Sequence, residues 1–357
     1  MPVLREVGIG GFRCLEDTRL RLHPRLNWIV GDNGAGKTSV LEAIYWLGRG
    51  RSFRASRPAL CTRHGDSAWL VRGRIGFTDR PDDVVRIGYS GGGIATHRNQ
   101  ATTTLVEHAR VLPMQMVEPG LHRVVEDGPA YRRRFLDWGM FHVEPRYLTL
   151  WRSYARALRQ RNQVLRSGAG GDQQDAWTHE LIRTGTELAT AREAGLAGLR
   201  EAFAVRCGSL DLGTAEIRLH PGWEAGKSLA DAIRDRSEQD QRQGVTGAGP
   251  HRAELRIRLG EGEARDRVSR GQQKLLLSAL CLAQADVIFA ATAIRPLVLL
   301  DDFTAELGRA YQERLAGMLA GYEGQCVITA LTPPEGAVTA DDAAMFHVEQ
   351  GRIVTRD

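Results

Sequence analysis

Residues 31–38 read Gly-Asp-Asn-Gly-Ala-Gly-Lys-Thr, a complete G-x-x-x-x-G-K-T loop directly behind the apolar run Leu26–Val30. The order of parts is what matters, because a phosphate cradle needs a strand, a tight turn and then a helix. Gly34 and Gly36 let the backbone curl until several N–H groups point inward at phosphate oxygens. The following segment, with Val40, Leu41, Ile44 and Leu47 at helical spacing, aims the positive end of its dipole at the same place. Lys37 can then reach β- and γ-phosphates, and the Thr38 hydroxyl can ligate Mg²⁺. The chain holds only three lysines (Lys37, Lys227, Lys274) among 48 basic residues. A slender point charge at 37 therefore stands where arginine is the local default, as a closed cradle requires.

Hydrophobic content of 42% and charged content of 25% are those of a globular protein with a real core. No apolar run of about 18 residues stands out and the N-terminus has no signal-peptide pattern, so a cytoplasmic protein without a membrane partner is expected. Cys14, Cys61, Cys207, Cys281 and Cys326 are scattered without C-x-x-C spacing, which argues against zinc or disulfides. A net charge of +5 and a pI near 9.1 suit a nucleic-acid partner.

Strand-like alternation runs through Val3–Ile9, Thr18–Leu22 and Leu26–Val30, with further apolar runs at Ala68–Ile75 and Val84–Tyr89. From about residue 146 the period becomes helical: Trp151, Tyr154, Leu158 and Leu165 interleave with Arg152, Arg156, Arg159, Arg161 and Arg166. A Gly-rich break at 167–172 and a second helical stretch make an αα-hairpin. Helix returns over Gln272–Val287, and Pro296–Leu300 reads as a buried parallel strand. Both ends of the chain are thus α/β and the middle is helical.

That buried strand closes on Asp301-Asp302. In phosphoryl-transfer sites the first acid holds Mg²⁺, and the next can orient and deprotonate the attacking water. Val268-Ser269-Arg270-Gly271-Gln272-Gln273-Lys274 opens the preceding helix, where a hydroxyl, backbone N–H groups and a dipole form a second anion site. One nucleotide has a single γ-phosphate, already served by Lys37. A second such site makes sense if it works on another subunit's nucleotide.

In this order the three motifs resemble the ABC-type P-loop ATPase head shared with SMC proteins, and more narrowly the RecF family of bacterial recombination mediators. The likeness extends to Gly11-Phe12-Arg13, to residues 48–54, to the block Gly128–Trp138 and to Gly249-Pro250-His251-Arg252. The resemblance implies an α/β fold: a head of mixed β-sheet layers, with a mainly helical second lobe inserted in the chain. The head would comprise residues 1–118 and 249–357, and the insertion 119–248. It further implies that Gly31, Asn33, Gly34, Ala35, Gly36, Lys37, Thr38 and Ser39 hold ATP, with Thr38 and Asp301 on the Mg²⁺ side. Asp302 matches the general base and Gln115 the glutamine that senses Mg²⁺ and water. Ser269, Gly271 and Gln272 match the loop that contacts a partner's γ-phosphate, and Thr329 or Thr332 stands where transporters carry a switch histidine. The family pattern after the acids usually ends in Asp, where this chain has Ala305-Glu306-Leu307-Gly308.

The implied activity is a slow, switch-like ATPase. ATP would clasp two heads into a homodimer on DNA at single-strand/duplex gaps, and the protein would help RecO and RecR load RecA. Arg132, Arg133, Arg134, Arg156 and Arg159 are the candidate DNA contacts, through backbone phosphates rather than base edges. An SMC-like ATPase of another repair system and a transporter nucleotide-binding subunit are the alternative readings. The short insertion and missing C-x-x-C weigh against the zinc-hook form of the first, and the Arg-rich lobe against the second.

Overall fold

The structure, a computed structural model, describes residues 2–118, 124–125, 128–168, 171–305, 307–334 and 342–356. The chain forms two compact units, Met1–Leu121 with Ser269–Asp357, and His122–Val268. The first begins with β1 (Val3–Gly10), β2 (Thr18–Arg21), β3 (Leu26–Val30) and α1 (Lys37–Arg49). It continues through β4 (Trp69–Gly76), β5 (Asp83–Ser90), β6 (Gly93–Arg98), β7 (Ala101–Thr102), α2 (Leu105–Val111) and β8 (Met114–Val117). The second unit holds α3 (Pro129–Val143), α4 (Tyr147–Ser167), α5 (Asp172–Ser209), β9 (Ala215–His220), α6 (Leu229–Asp235) and α7 (Ser237–Gln243). It closes with β10 (Glu254–Leu259), β11 (Gly262–Glu263) and α8 (Ala264–Arg267). The chain then returns to the first unit as α9 (Arg270–Thr292), β12 (Leu297–Leu300), α10 (Arg309–Ala320), β13 (Cys326–Ala330), β14 (Ala343–Glu349) and β15 (Arg352–Arg356).

Two sheets build the first unit. One is antiparallel, in the order β2-β1-β4-β5-β6-β7; the other runs β15-β14-β3-β13-β12-β8 and is parallel except at β15. α1 packs against β4 and β5 of the first sheet and β13 and β8 of the second. It is therefore buried all round from Ser39 to Gly48, not along the single apolar face its spacing suggests. β12 is buried at all four positions, as a continuous Leu-Val-Leu-Leu run inside a parallel sheet must be.

α9 corrects one expectation from the sequence. An 18-residue window in it has mean hydropathy 1.9, enough by composition to cross a membrane. Of that window 67% is buried inside the protein, so it serves as a core helix of its unit.

In the second unit α4 and α5 form the expected helical hairpin, and β10 lies antiparallel between β9 and β11. Leu255 pairs with Leu219 and Ile257 with Ile217, burying Leu255 and Ile257. Residues 249–268, expected with the head, thus fold with the helical unit, and the head resumes at Ser269. The other expected boundary, at 118/119, abuts residues 119–123, which lie outside the described residues.

Several arginines of this unit face inward. Arg132 is 8% exposed and donates to Glu254 (2.5 and 3.1 Å) and to the carbonyls of Val124 and Val125. It is a structural residue, which corrects its assignment as a DNA contact. Arg192 is buried against Asp137, the Tyr147 hydroxyl and the Pro250 carbonyl. His251 closes the same region: its Nε2 faces the Thr246 carbonyl at 2.9 Å and its Nδ1 the Tyr154 hydroxyl at 2.7 Å. A carbonyl only accepts, so Nε2 carries the proton and Nδ1 accepts from Tyr154. Burial pulls this histidine down to about 4, which keeps it neutral. The family-specific blocks at 128–138 and 249–252 are thus largely the internal bracing of the second unit.

Candidate nucleotide site

The phosphate loop leaves β3 and enters α1 through three glycines of positive φ, Gly31 (149°), Gly34 (81°) and Gly36 (117°). At Gly31 a Cβ would stand 2.2 Å from the Val348 carbonyl oxygen of the neighbouring strand, so only glycine fits. Gly36 caps α1 without a side-chain acceptor, leaving the N–H groups of Lys37 and Thr38 for a ligand, while the Ser39 N–H turns back onto the Gly36 carbonyl at 2.9 Å. Lys37 Nζ donates to the carbonyls of Gly31 (2.6 Å) and Asp32 (2.9 Å), which holds the ammonium across the loop. Burial lowers its pKa, and Asp302, Asp301 and Asp32 oppose that shift.

The acids sit where the strand order brings them. β12 and β13 are adjacent parallel strands, and Asp301 follows the first directly. Thr38 Oγ1 donates to Asp301 Oδ1 at 3.0 Å, and Thr329 Oγ1 donates to the same oxygen at 2.7 Å. Burial pushes the Asp301 carboxyl above its ordinary value, and the hydroxyls of Thr329 and Thr38 pull it part-way back. Among the described residues no cation stands within ion-pair distance of Asp301. A 4% exposed carboxylate beside the Thr38 hydroxyl, whose oxygen lone pairs remain available, is a hard-donor pair that would suit Mg²⁺. Asp302 adopts φ 54°, and its N–H donates to Thr329 Oγ1 at 2.7 Å.

Asn33, Gly34, Gly36, Lys37, Thr38, Ser39, Asp301, Asp302 and Thr329 line one cleft of about 340 Å³. Cys14 and Arg54 line it too, and sequence reasoning did not single them out. Arg54 lies in the 48–54 block, and the signal was there: Glu42 of α1 is fully buried and gathers Arg13 (2.6 and 2.9 Å), Ser52 and Arg54 (3.8 Å). That cluster ties Arg13 and the 48–54 segment to α1. It also leaves the Arg54 guanidinium at the cleft.

Three sequence assignments lie elsewhere. Gln115 is buried on β8 and donates to Gln284 of α9 at 3.0 Å, and it does not line the cleft. Thr332 is exposed beyond the end of β13, whereas Thr329 is fully buried with its hydroxyl committed to Asp301 and Asp302. Ser269 caps α9 in a reciprocal box: its hydroxyl accepts from Gln272 N–H, and Gln272 Oε1 accepts from Ser269 N–H. Gly271 is buried behind it, and Ser269, Gly271 and Gln272 are outside the cleft's lining. Glu306 lies outside the described residues.

A model of the RecF/RecN/SMC N-terminal domain matches residues 3–354. The DNA replication and repair protein RecF of Pseudomonas fluorescens is 36% identical over 98% of this chain and 97% of its own length. The chain belongs to the RecF family. RecF of Pseudomonas syringae pv. syringae is similar to the same degree, 36% over the same shares. Among solved structures, the recombination mediator protein RecF with ATP, of the RecFOR pathway, superposes with TM-score 0.88 at 24% identity. That match covers 100% of this chain and 98% of the other. A Smc head domain from Pyrococcus furiosus, bound to the C-terminal domain of ScpA, gives TM-score 0.61 at 16% identity and covers 100% of this chain and 97% of that one. The fold is that of RecF and SMC heads, and RecF membership sets aside the transporter reading.

The cleft carries a chemical expectation of its own. Cys14 is the exposed member of the five cysteines, while burial pushes Cys61 up to about 11 and Cys207, Cys281 and Cys326 to about 12. N-ethylmaleimide should therefore label Cys14 first on the native protein, and bound MgATP should slow that labelling. Peptide mass mapping reads both, and labelling spread evenly over the five would contradict the cleft as described.

Proposed function

We propose that this chain binds MgATP in the 340 Å³ cleft and uses it to close two copies on DNA during recombinational repair. The observation that carries the reading is the Thr38–Asp301 contact at 3.0 Å, which sets the phosphate loop and the acidic strand end side by side. Lys37 and the α1 N-terminus bind and orient the phosphates, Thr38 and Asp301 hold Mg²⁺, and Asp302 takes a proton from the attacking water. Mg²⁺ supplies charge neutralisation at the phosphate oxygens. The RecF relatives are named for DNA replication and repair, which supports the DNA role.

Ser269, Gly271 and Gln272 stand at a helix N-terminus apart from the cleft, which suits them to a second copy's γ-phosphate. Arg134, Arg156 and Arg159 are exposed and remain as DNA contacts, and Arg133 is half-buried with its guanidinium on the Ala253 carbonyl. Cooperation with RecO and RecR in loading RecA at gaps, in the cytoplasm, completes the reading.

Sedimentation with and without ATP and gapped DNA tests it. ATP should convert monomers to DNA-retained dimers. Lys37→Met should lose nucleotide, and Ser269→Arg should bind nucleotide yet stay monomeric. A wild-type monomer indifferent to ATP and DNA would sink the reading.

A further inference from the structure

Asp302 holds a left-handed backbone conformation (φ 54°) that residues with a side chain adopt only against strain. Such a conformation persists only where neighbours over-determine it, and two side chains do so here. Thr329 of β13 takes the Asp302 N–H on its hydroxyl at 2.7 Å, and its own carbonyl takes the Phe303 N–H at 2.7 Å. On the other side Lys274 of α9 donates from Nζ to the Asp302 carbonyl and, at 3.1 Å, to the Ala305 carbonyl. The Asp302 carboxylate, free of these contacts, faces the cleft.

The residue type at 274 is itself informative. In a chain with three lysines among 48 basic residues, one of the three stands here. Two carbonyls converging on one point call for a compact ammonium with rotatable donors, which the flat arginine fork does not reproduce. From the clamp and this exception to the chain's arginine habit, we infer that Lys274 and Thr329 are positioning residues for ATP hydrolysis. They set the Asp302 carboxylate by gripping its main chain from α9 and β13. Because Lys274 lies one turn inside the helix capped by Ser269, the placement of that helix and the placement of the base are mechanically one.

The inference rests on the proposed ATPase reading, and the test separates the two. Turnover is measured by phosphate release and nucleotide affinity by a fluorescent ATP analogue, for wild type, Lys274→Met, Lys274→Arg, Thr329→Val and Thr329→Ser. A misplaced base costs on the order of 10²-fold in rate. Lys274→Met and Lys274→Arg should lose about that much kcat with affinity and melting temperature kept, and Thr329→Val, which also removes a hydrogen bond to Asp301, should lose at least as much kcat. Thr329→Ser, which retains the hydroxyl, should recover the rate lost in Thr329→Val. A purely structural role would lower affinity, melting temperature and rate together, and that pattern overturns the inference. So does wild-type turnover in Lys274→Met. A wild type that binds no nucleotide overturns the ATPase reading first, and this one with it.

Discussion

Asp302→Asn should reduce ATP turnover by about 10³-fold while leaving nucleotide affinity in place, a loss within the range of a removed general base. The substitution suits the question because Asp302 is held through its main chain. Its N–H stays on Thr329 Oγ1 and its carbonyl on Lys274 Nζ whichever side chain it carries. Asparagine also tolerates the left-handed region as readily as aspartate. The turn therefore survives, and what disappears is a carboxylate able to accept a proton. Asp301→Asn is the contrast. Its carboxylate accepts from both Thr38 and Thr329, and an amide there removes the negative charge proposed to hold Mg²⁺. Affinity and turnover should then fall together. Single-turnover hydrolysis alongside equilibrium binding separates the two outcomes. Turnover near wild type in Asp302→Asn would show that another group prepares the water. With hydrolysis blocked and binding intact, the same variant should hold the ATP-dependent dimer longest in sedimentation.

What the sequence revealed and what it hid follow from how far apart the interacting parts lie. The phosphate loop was legible because its chemistry is local: strand, three glycines, lysine and threonine within thirteen residues, 26–38. Asp301-Asp302 was legible because a buried strand ends on them. The surroundings of Thr329 were only half visible, since its hydroxyl meets Asp301 across 28 residues of chain. Gln115 shows the limit. A strand residue's neighbour depends on which helix covers that sheet face, and Gln284 is 169 residues away.

The arginines were hardest. Helical spacing marks Arg161 as one member of a charged face, but its carboxylate partner comes from α7, 79 residues on. Arg132 finds Glu254 at 122 residues and Arg192 finds Asp137 at 55. In a chain that writes nearly every cation as arginine, composition cannot separate an inward guanidinium from one that waits for phosphate. The position of 249–268 was hidden for the same reason, because pairing of β10 with β9 is long-range information.

The buried pair Arg161–Asp240 makes that distinction measurable. Arg161 is 1% exposed and Asp240 fully buried, 2.8 Å apart, with Arg161 also donating to Thr246 and Thr178. Asp240 in turn accepts from the Gly247 N–H at 2.9 Å. Asp240→Ala would strand a guanidinium without its counter-charge, which costs roughly 3–5 kcal/mol. For a unit of this size that lowers the melting temperature by on the order of 10 °C. Arg161→Met with Asp240→Leu should recover most of the loss, since a pair replaced by apolar groups of similar volume is close to neutral. Arg159→Ala, two residues away and exposed, should leave melting unchanged and weaken DNA retention at low salt. Calorimetry together with DNA binding as a function of salt reads all three. An Asp240→Ala protein that melts with the wild type, or an Arg159→Ala protein that loses stability in place of DNA, would reverse the assignment of inward and outward arginines.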